Sequence, residues 1–233
     1  MKKFLIGFSV CVGVILSVIL IRNVRIEIAK DALRDSNVGD YVVFGAYEQD
    51  REVLNGKEDI EWLVLEKEEG RILVLSKYAL DAQQYHTSKE DVTWETSTLR
   101  QWLNEDFVNS AFSGIEKSMI PTVMVSADKN PEYDTSQGNE TQDKVFLLSM
   151  KDANEYFSLG KKMICTPTEY ARGQGVYCDA FQEYLCGWWL RTSGGNQESA
   201  SYVFGEIDGV HGYGLDVDYD ACGVRPALWI DVN

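Results

Sequence analysis

The sequence predicts an α+β fold in which one domain of short, mainly antiparallel strands carries two or three helices and follows a single N-terminal transmembrane helix. Three observations predict it: an uncharged run at residues 4–21, β-rich runs separated by turn residues, and two stretches with apolar residues at helical spacing.

The uncharged run FLIGFSVCVGVILSVILI comes first. As a helix it would extend about 27 Å, close to the hydrocarbon thickness of a bilayer. Lys2 and Lys3 precede it, Arg22, Arg25 and Lys30 follow it, and no Ala-x-Ala-like cleavage site ends it. An uncleaved signal anchor with a polar stalk to residue 35 is expected, leaving residues 36–233 as one globular domain.

Within that domain, alternation around Tyr41, Val43 and Ala46 reads as a strand. Residues 60–66 and 71–78 should form a hairpin across Lys67-Glu68-Glu69-Gly70, with Gly70 free to take positive φ. Thr96 reads as the N-cap of a helix whose Leu99, Trp102, Leu103 and Phe107 lay one stripe on the sheet and which runs to about Phe112. Residues 120–126 and 144–149 read as strands flanking a segment, 128–143, too polar to enter the core. Ser149 caps a short helix through Phe157, and a helical turn follows Pro167. Short strands begin at Gly187-Trp188-Trp189-Leu190-Arg191 and continue at 202–204, 209–213 and 223–231.

Charge narrows the partners. The net charge is −15, and because the first 30 residues are basic, residues 31–233 carry −19. A surface that negative repels phosphate backbones and anionic headgroups, which argues against nucleic acid as a partner. Hydrolase and nucleotide signatures are absent: there is no Gly-x-Ser-x-Gly, no His-Glu-x-x-His and no phosphate-binding Gly-x-x-x-x-Gly-Lys.

The segments GDYVVFGAYEQD, IEWLVLEKEEGRILVLSKYALD, DVTWETSTLRQWLNEDFVNSAF, TQDKVFLLSMKDANEYF, GWWLRT and GVRPALWIDV together resemble a family of bacterial exported domains of unknown function. Trp-Trp-Leu-Arg followed by an acidic stretch and Val-Arg-Pro-Ala-Leu-Trp is similar to the closing half of C-type-lectin-like domains, and more distantly to formylglycine-generating enzymes. The resemblance implies a lectin-like fold but no activity, because that fold hosts sugar binders, protein binders and enzymes.

Calcium is a candidate cofactor, with Asp208, Asp216, Asp218 and Asp220 as its ligands in a region where lectin-like domains often bind it. The spacing fails as an EF-hand loop, since Ala221 stands where Gly is needed and Ala227 where Glu is needed. If the carboxylates lie on a strand, period two places Asp216, Asp218 and Asp220 on one solvated face instead.

Cys165, Cys178, Cys186 and Cys222 allow two disulfides in three connectivities, or four free thiols. The absence of Cys-x-x-Cys argues against a structural zinc site. Likeness to formylglycine-generating enzymes would require a cysteine pair near the terminal Arg strand, where only Cys222 neighbours Arg225 in sequence. Arg100, Arg191 and Arg225 stand in apolar contexts, so each needs a carboxylate or carbonyl partner.

The expected function is that of a binding or interaction module, held in the cell membrane by the N-terminal helix in the bilayer and facing outside the cytoplasm. Its ligand, a glycan or a protein, would meet Tyr202, His211, Tyr213 and Tyr219 on loops between Arg191 and Gly223. Two alternatives stand beside it: an enzyme of the formylglycine-generating or hydrolytic kind, and a structural envelope protein.

Overall fold

The computed structural model describes residues 30–157, 163–179, 185–204 and 209–233. Two five-stranded sheets dominate it. The first runs β1 (Tyr41–Tyr47), β2 (Glu58–Glu68), β3 (Arg71–Ser76), β14 (Ala227–Asp231), β7 (Val145–Phe146), and every neighbouring pair is antiparallel. The second runs β12 (Val210–Asp216), β11 (Ser199–Val203), β10 (Trp188–Ser193), β13 (Gly223–Val224), β4 (Asp81–Ala82), with β10 and β13 parallel. Two ribbons complete the strands: β5 (Val123–Val125) with β6 (Thr141–Asp143), and β8 (Cys178–Asp179) with β9 (Leu185–Cys186).

The sheets are joined by strands that pass from one to the other. β3 pairs with β14 in the first sheet, and their continuations β4 and β13 pair in the second. Arg225 sits at this crossing, where its Nε donates to the Ser76 carbonyl at 2.8 Å while Ser76 N–H donates to Pro226 O at 2.9 Å. The guanidinium lies over the Trp188 ring, 5.1 Å from its centroid. A buried cation is tolerable here because carbonyl oxygens and aromatic faces surround it.

Helical pieces cover the sheets. Ser97 caps α1 (Thr98–Trp102) by accepting from Arg100 N–H, and a π turn over Leu103–Phe107 leads into α2 (Val108–Ala111). The widened turn keeps Leu99, Leu103 and Phe107 buried on one stripe. A capping box between Ser113 and Glu116 starts α3 (Gly114–Met119). Ser149 and Asp152 bond each other's backbone N–H groups at the start of α4 (Met150–Phe157). Thr168 caps α5 (Glu169–Gln174), which ends on Gly175 at φ 115°. Residues 30–35 are also helical.

The large apolar side chains meet between these layers. Trp62, Trp188, Trp189, Tyr85 and Phe107 are among those that are fully buried. Each buried indole finds an acceptor: Trp62 donates to Phe44 O at 2.7 Å, Trp189 to Gln83 O at 2.9 Å and Trp188 to Met163 O at 3.2 Å.

Three expectations are corrected. The α+β lectin-like fold class with two or three helices gives way to a mostly β architecture of two sheets and two ribbons, covered by more and shorter helical pieces. The helix predicted after Thr96 is divided by the π turn and the break at Phe112, whose φ of −125° is extended. No helix among the described residues is long and apolar enough to cross a membrane, so the transmembrane helix and signal anchor have no counterpart among those residues. Residues 4–21, on which that expectation fell, lie outside the described residues.

A further correction concerns the polar segment 128–143. It enters the interior: Asn130, Thr141 and Asp143 are buried. Asn130 Nδ2 donates to Ser193 O at 2.8 Å and Gly212 O at 2.9 Å, while Asp143 accepts from Arg100 at 2.7 Å, Trp94 at 3.0 Å and Thr141 at 2.6 Å. Polar residues fill the core here because every buried group is paired.

Candidate functional site

The outer part of the second sheet gathers aromatic residues. β11 and β12 place Tyr202 directly opposite His211, and the two rings stack with centroids 4.7 Å apart and planes 14° apart. His211 Nε2 lies 3.2 Å from the Phe204 carbonyl oxygen, which fixes the imidazole over Tyr202. Tyr202 and Phe204 flank Gly187 just before β10. Tyr177 joins Phe204 with ring centroids 6.2 Å apart, and its N–H donates to Ala221 O at 2.9 Å.

A second cluster follows from a bulge. Between Ala200 and Tyr202 one residue of β11 faces three of β12, because Ala200 pairs with Leu215 and Tyr202 with His211. The surplus falls at Gly212, Tyr213 and Gly214. Gly214 takes φ +83°, and a Cβ there would sit 2.4 Å from the Ala200 carbonyl oxygen, so only glycine fits. The bulge leaves Tyr213 65% exposed, edge-on to Tyr133 at 6.1 Å.

Electrostatics keep these rings neutral. Burial raises the Tyr202 hydroxyl pKa, and the neighbouring Cys222 and Tyr219 add to it. The Tyr219 hydroxyl is raised likewise, by burial first and then by Cys222, Asp220 and Tyr177. Both phenols are therefore hydrogen-bond donors throughout the neutral range. The face offers flat apolar surfaces with polar rims, which suits stacking and hydrogen bonding to a polar ligand.

The predicted residues divide. Tyr202 and His211 form the centre of the face, Tyr219 lies beside it, and Tyr213 stands apart on the bulge. The acidic set does not converge: Asp216 pairs with Lys89 at 2.7 Å and is not within ligand distance of Asp218 and Asp220, whereas Asp208 lies outside the described residues. Among the described residues, the carboxylates whose oxygens all lie within 4.8 Å of one another are those of Glu48, Asp50 and Glu58. Two of them serve the local turn, because Asp50 accepts from Glu52 N–H and Asn55, and Glu58 accepts from Gln49 N–H. Tyr177 and Phe204 escaped prediction. Tyr177 precedes a two-residue strand too short to show alternation, and Phe204 joins the face through its ring contact with Tyr177 and its carbonyl contact with His211.

The three arginines are partnered. Arg100 meets Asp143, and Arg225 meets the Ser76 carbonyl. Arg191 donates to Asp128 at 2.8 Å, to Leu147 O at 2.9 Å and to Ser126 Oγ at 2.9 Å, and pairs with Asp152. Arg191 also lines a shallow cleft with Met124, Tyr156 and Trp229, but its donors there are spent on protein partners.

A profile of the DUF6273 domain of unknown function matches residues 69–232, more than half the chain. The chain belongs to the DUF6273 family. No curated protein and no solved structure matches it. The DUF6273 match holds every residue of the aromatic face and both crossing strands, β3 and β14. Strands β1 and β2 precede it, yet they hydrogen-bond onto β3 and extend the same sheet.

Proposed function

We propose that this domain is a noncatalytic recognition module whose aromatic face takes a neutral glycan. The observation that supports this reading is the stacked Tyr202–His211 pair, flanked by Phe204 and by Tyr177 and Tyr219, the last two 57% and 37% exposed. The apolar face of a sugar ring packs on an aromatic ring while its hydroxyls bond to phenols and carboxylates at the edge. A body charge of −19 works against anionic glycans and leaves uncharged or amino sugars as the favoured class.

Titration of the full chain with neutral and sulfated oligosaccharides, read by calorimetry or by perturbation of the tyrosine and histidine NMR signals, tests it. Saturable binding of a neutral oligosaccharide that Tyr202→Ala weakens supports the proposal. Binding that Tyr202→Ala and Tyr177→Ala leave unchanged would place the ligand elsewhere.

A further inference from the structure

Four thiols lie close together behind the aromatic face. Cys165, Cys186 and Cys222 are buried, Cys178 is half-exposed, and all four are free. Cys186 N–H donates to Cys165 O at 2.9 Å. That bond holds the two Cα atoms about 5–6 Å apart, inside the range a disulfide spans. Cys165 Sγ lies 3.5 Å from the Thr166 carbonyl oxygen and 3.9 Å from that of Lys77, and each of the two thiols shifts the ionisation of the other.

Cys178 stands on the other side of Cys186, as its Cα partner across β8 and β9. A strand residue points its N–H and C=O to the same side, and the Cys186 N–H is turned toward Cys165. Cys178 and Cys186 therefore form a non-hydrogen-bonded pair, the closer kind, with Cα atoms about 4.5 Å apart. Cys186 is thus within reach of one buried thiol and one that meets solvent.

We propose that Cys165 and Cys186 are a redox-active dithiol that closes to a disulfide, with Cys178 as the thiol through which a low-molecular-weight disulfide oxidant enters. The Cys178 thiolate attacks the oxidant RSSR, forming a mixed disulfide and releasing RS⁻. Cys186 gives its proton to that RS⁻ and attacks the Cys178 sulfur, expelling the second RS⁻, which takes up from solvent the proton that Cys178 lost on ionising. Cys165 then attacks the Cys186 sulfur, and its proton returns to the departing Cys178. Two protein thiols and one RSSR become one protein disulfide and two RSH.

The environment favours the last step and slows the first, because burial raises the Cys178 thiol above its ordinary value although Arg172 draws it back. Burial pushes the Cys165 thiol up, but the hydrogen bond from Cys186 and the charge of Arg225 outweigh it and hold the thiol below its ordinary value. Cys186 is raised, by the neighbouring Cys165 thiol first and then by burial. The last nucleophile is the thiol favoured to ionise.

The test is equilibration of the full chain in glutathione buffers from reducing to oxidising, followed by acid quenching, alkylation and peptide mapping. The expected product links Cys165 to Cys186 and leaves Cys178 and Cys222 alkylated. Cys178→Ser should form the same bond about tenfold more slowly, and so should native protein whose Cys178 has been blocked with iodoacetamide. Alkylation of both Cys165 and Cys186 at the oxidising end, or a bond joining any other pair, overturns the dithiol. An unchanged rate after both losses of Cys178 overturns its role as entry point.

Discussion

Tyr47 donates its phenolic hydrogen to Asp81 across 2.6 Å, joining the end of β1 to the strand that carries the chain into the second sheet. Burial raises the Asp81 carboxyl pKa, although Tyr47, the Ala82 N–H and Gln83 draw it back. The unfolded chain releases this proton at lower pH than the native state does. Between the two pKa values the native state holds more protons, so this group's contribution is complete below the unfolded value and is lost as pH rises through the folded one. Asp81→Asn cannot ionise, and its urea midpoint relative to wild type should therefore improve as pH rises from acid to neutral. A constant difference across that range would contradict the assignment.

Tyr47→Phe removes the donor and leaves the carboxylate behind. The expected cost is about 1–3 kcal/mol at neutral pH, the penalty for an unsatisfied buried acceptor. Because Tyr47 lowers the Asp81 pKa, its loss should also move the Asp81 titration, followed by carboxyl NMR, further upward.

Arg191 tests how much a buried ion network contributes. Its side chain is 4% exposed between Asp128 and Asp152, and removing it takes the cation from both carboxylates and a donor from the Leu147 carbonyl. Arg191→Met should cost about 3–5 kcal/mol in chemical denaturation. Arg191→Lys should recover only part of that, since an ammonium cannot reproduce the planar set of donors. Lys129→Ala, which breaks the exposed pair with Asp134, should leave stability unchanged.

The same network shows what could be read in the sequence. Arg100, Arg191 and Arg225 stood in apolar contexts, and burial cost alone required partners for them. The hairpin at Gly70 was legible because one glycine and two β-rich runs specify it locally, and Gly70 does take φ +82°. The burial of Asn130 and Asp143 was not legible. Their partners Gly212 and Arg100 lie far away in the chain, and polar composition cannot distinguish a solvated loop from a satisfied core. At the aromatic face, Tyr202 and His211 were visible as loop aromatics, but their stacking depends on a bulged register. Asp216 looked like a ligand because sequence spacing does not reveal that Lys89 neutralises it.

Gly214 makes that register testable. Alanine at 214 meets both the positive φ and the Ala200 carbonyl, whereas alanine at Gly56, at φ +102°, meets open space. Gly56→Ala should cost about 1 kcal/mol, the conformational term alone. Gly214→Ala should cost clearly more in thermal or urea unfolding, and should shift the NMR signals of Tyr213 and Tyr202. Equal costs would mean that the bulge yields to the added methyl.

Ligand binding separates stacking from charge at the aromatic face. If a neutral sugar stacks on Tyr202 and His211, Tyr202→Phe keeps the ring and should hold affinity within about threefold, while Tyr202→Ala should lose about tenfold or more. Tyr202 also touches the core, so a loss in Tyr202→Ala alone would be ambiguous; Tyr177, 57% exposed, can be truncated with little structural cost and should weaken binding too. Screening supplies the control. Stacking and phenol hydrogen bonds change little with ionic strength, but a cationic partner drawn to Asp216, Asp218 and Asp220 would weaken steeply between low and physiological salt. Affinity that is flat in salt and lost with either tyrosine identifies the rings as the contact, and affinity that collapses in salt assigns recognition to the acidic surface.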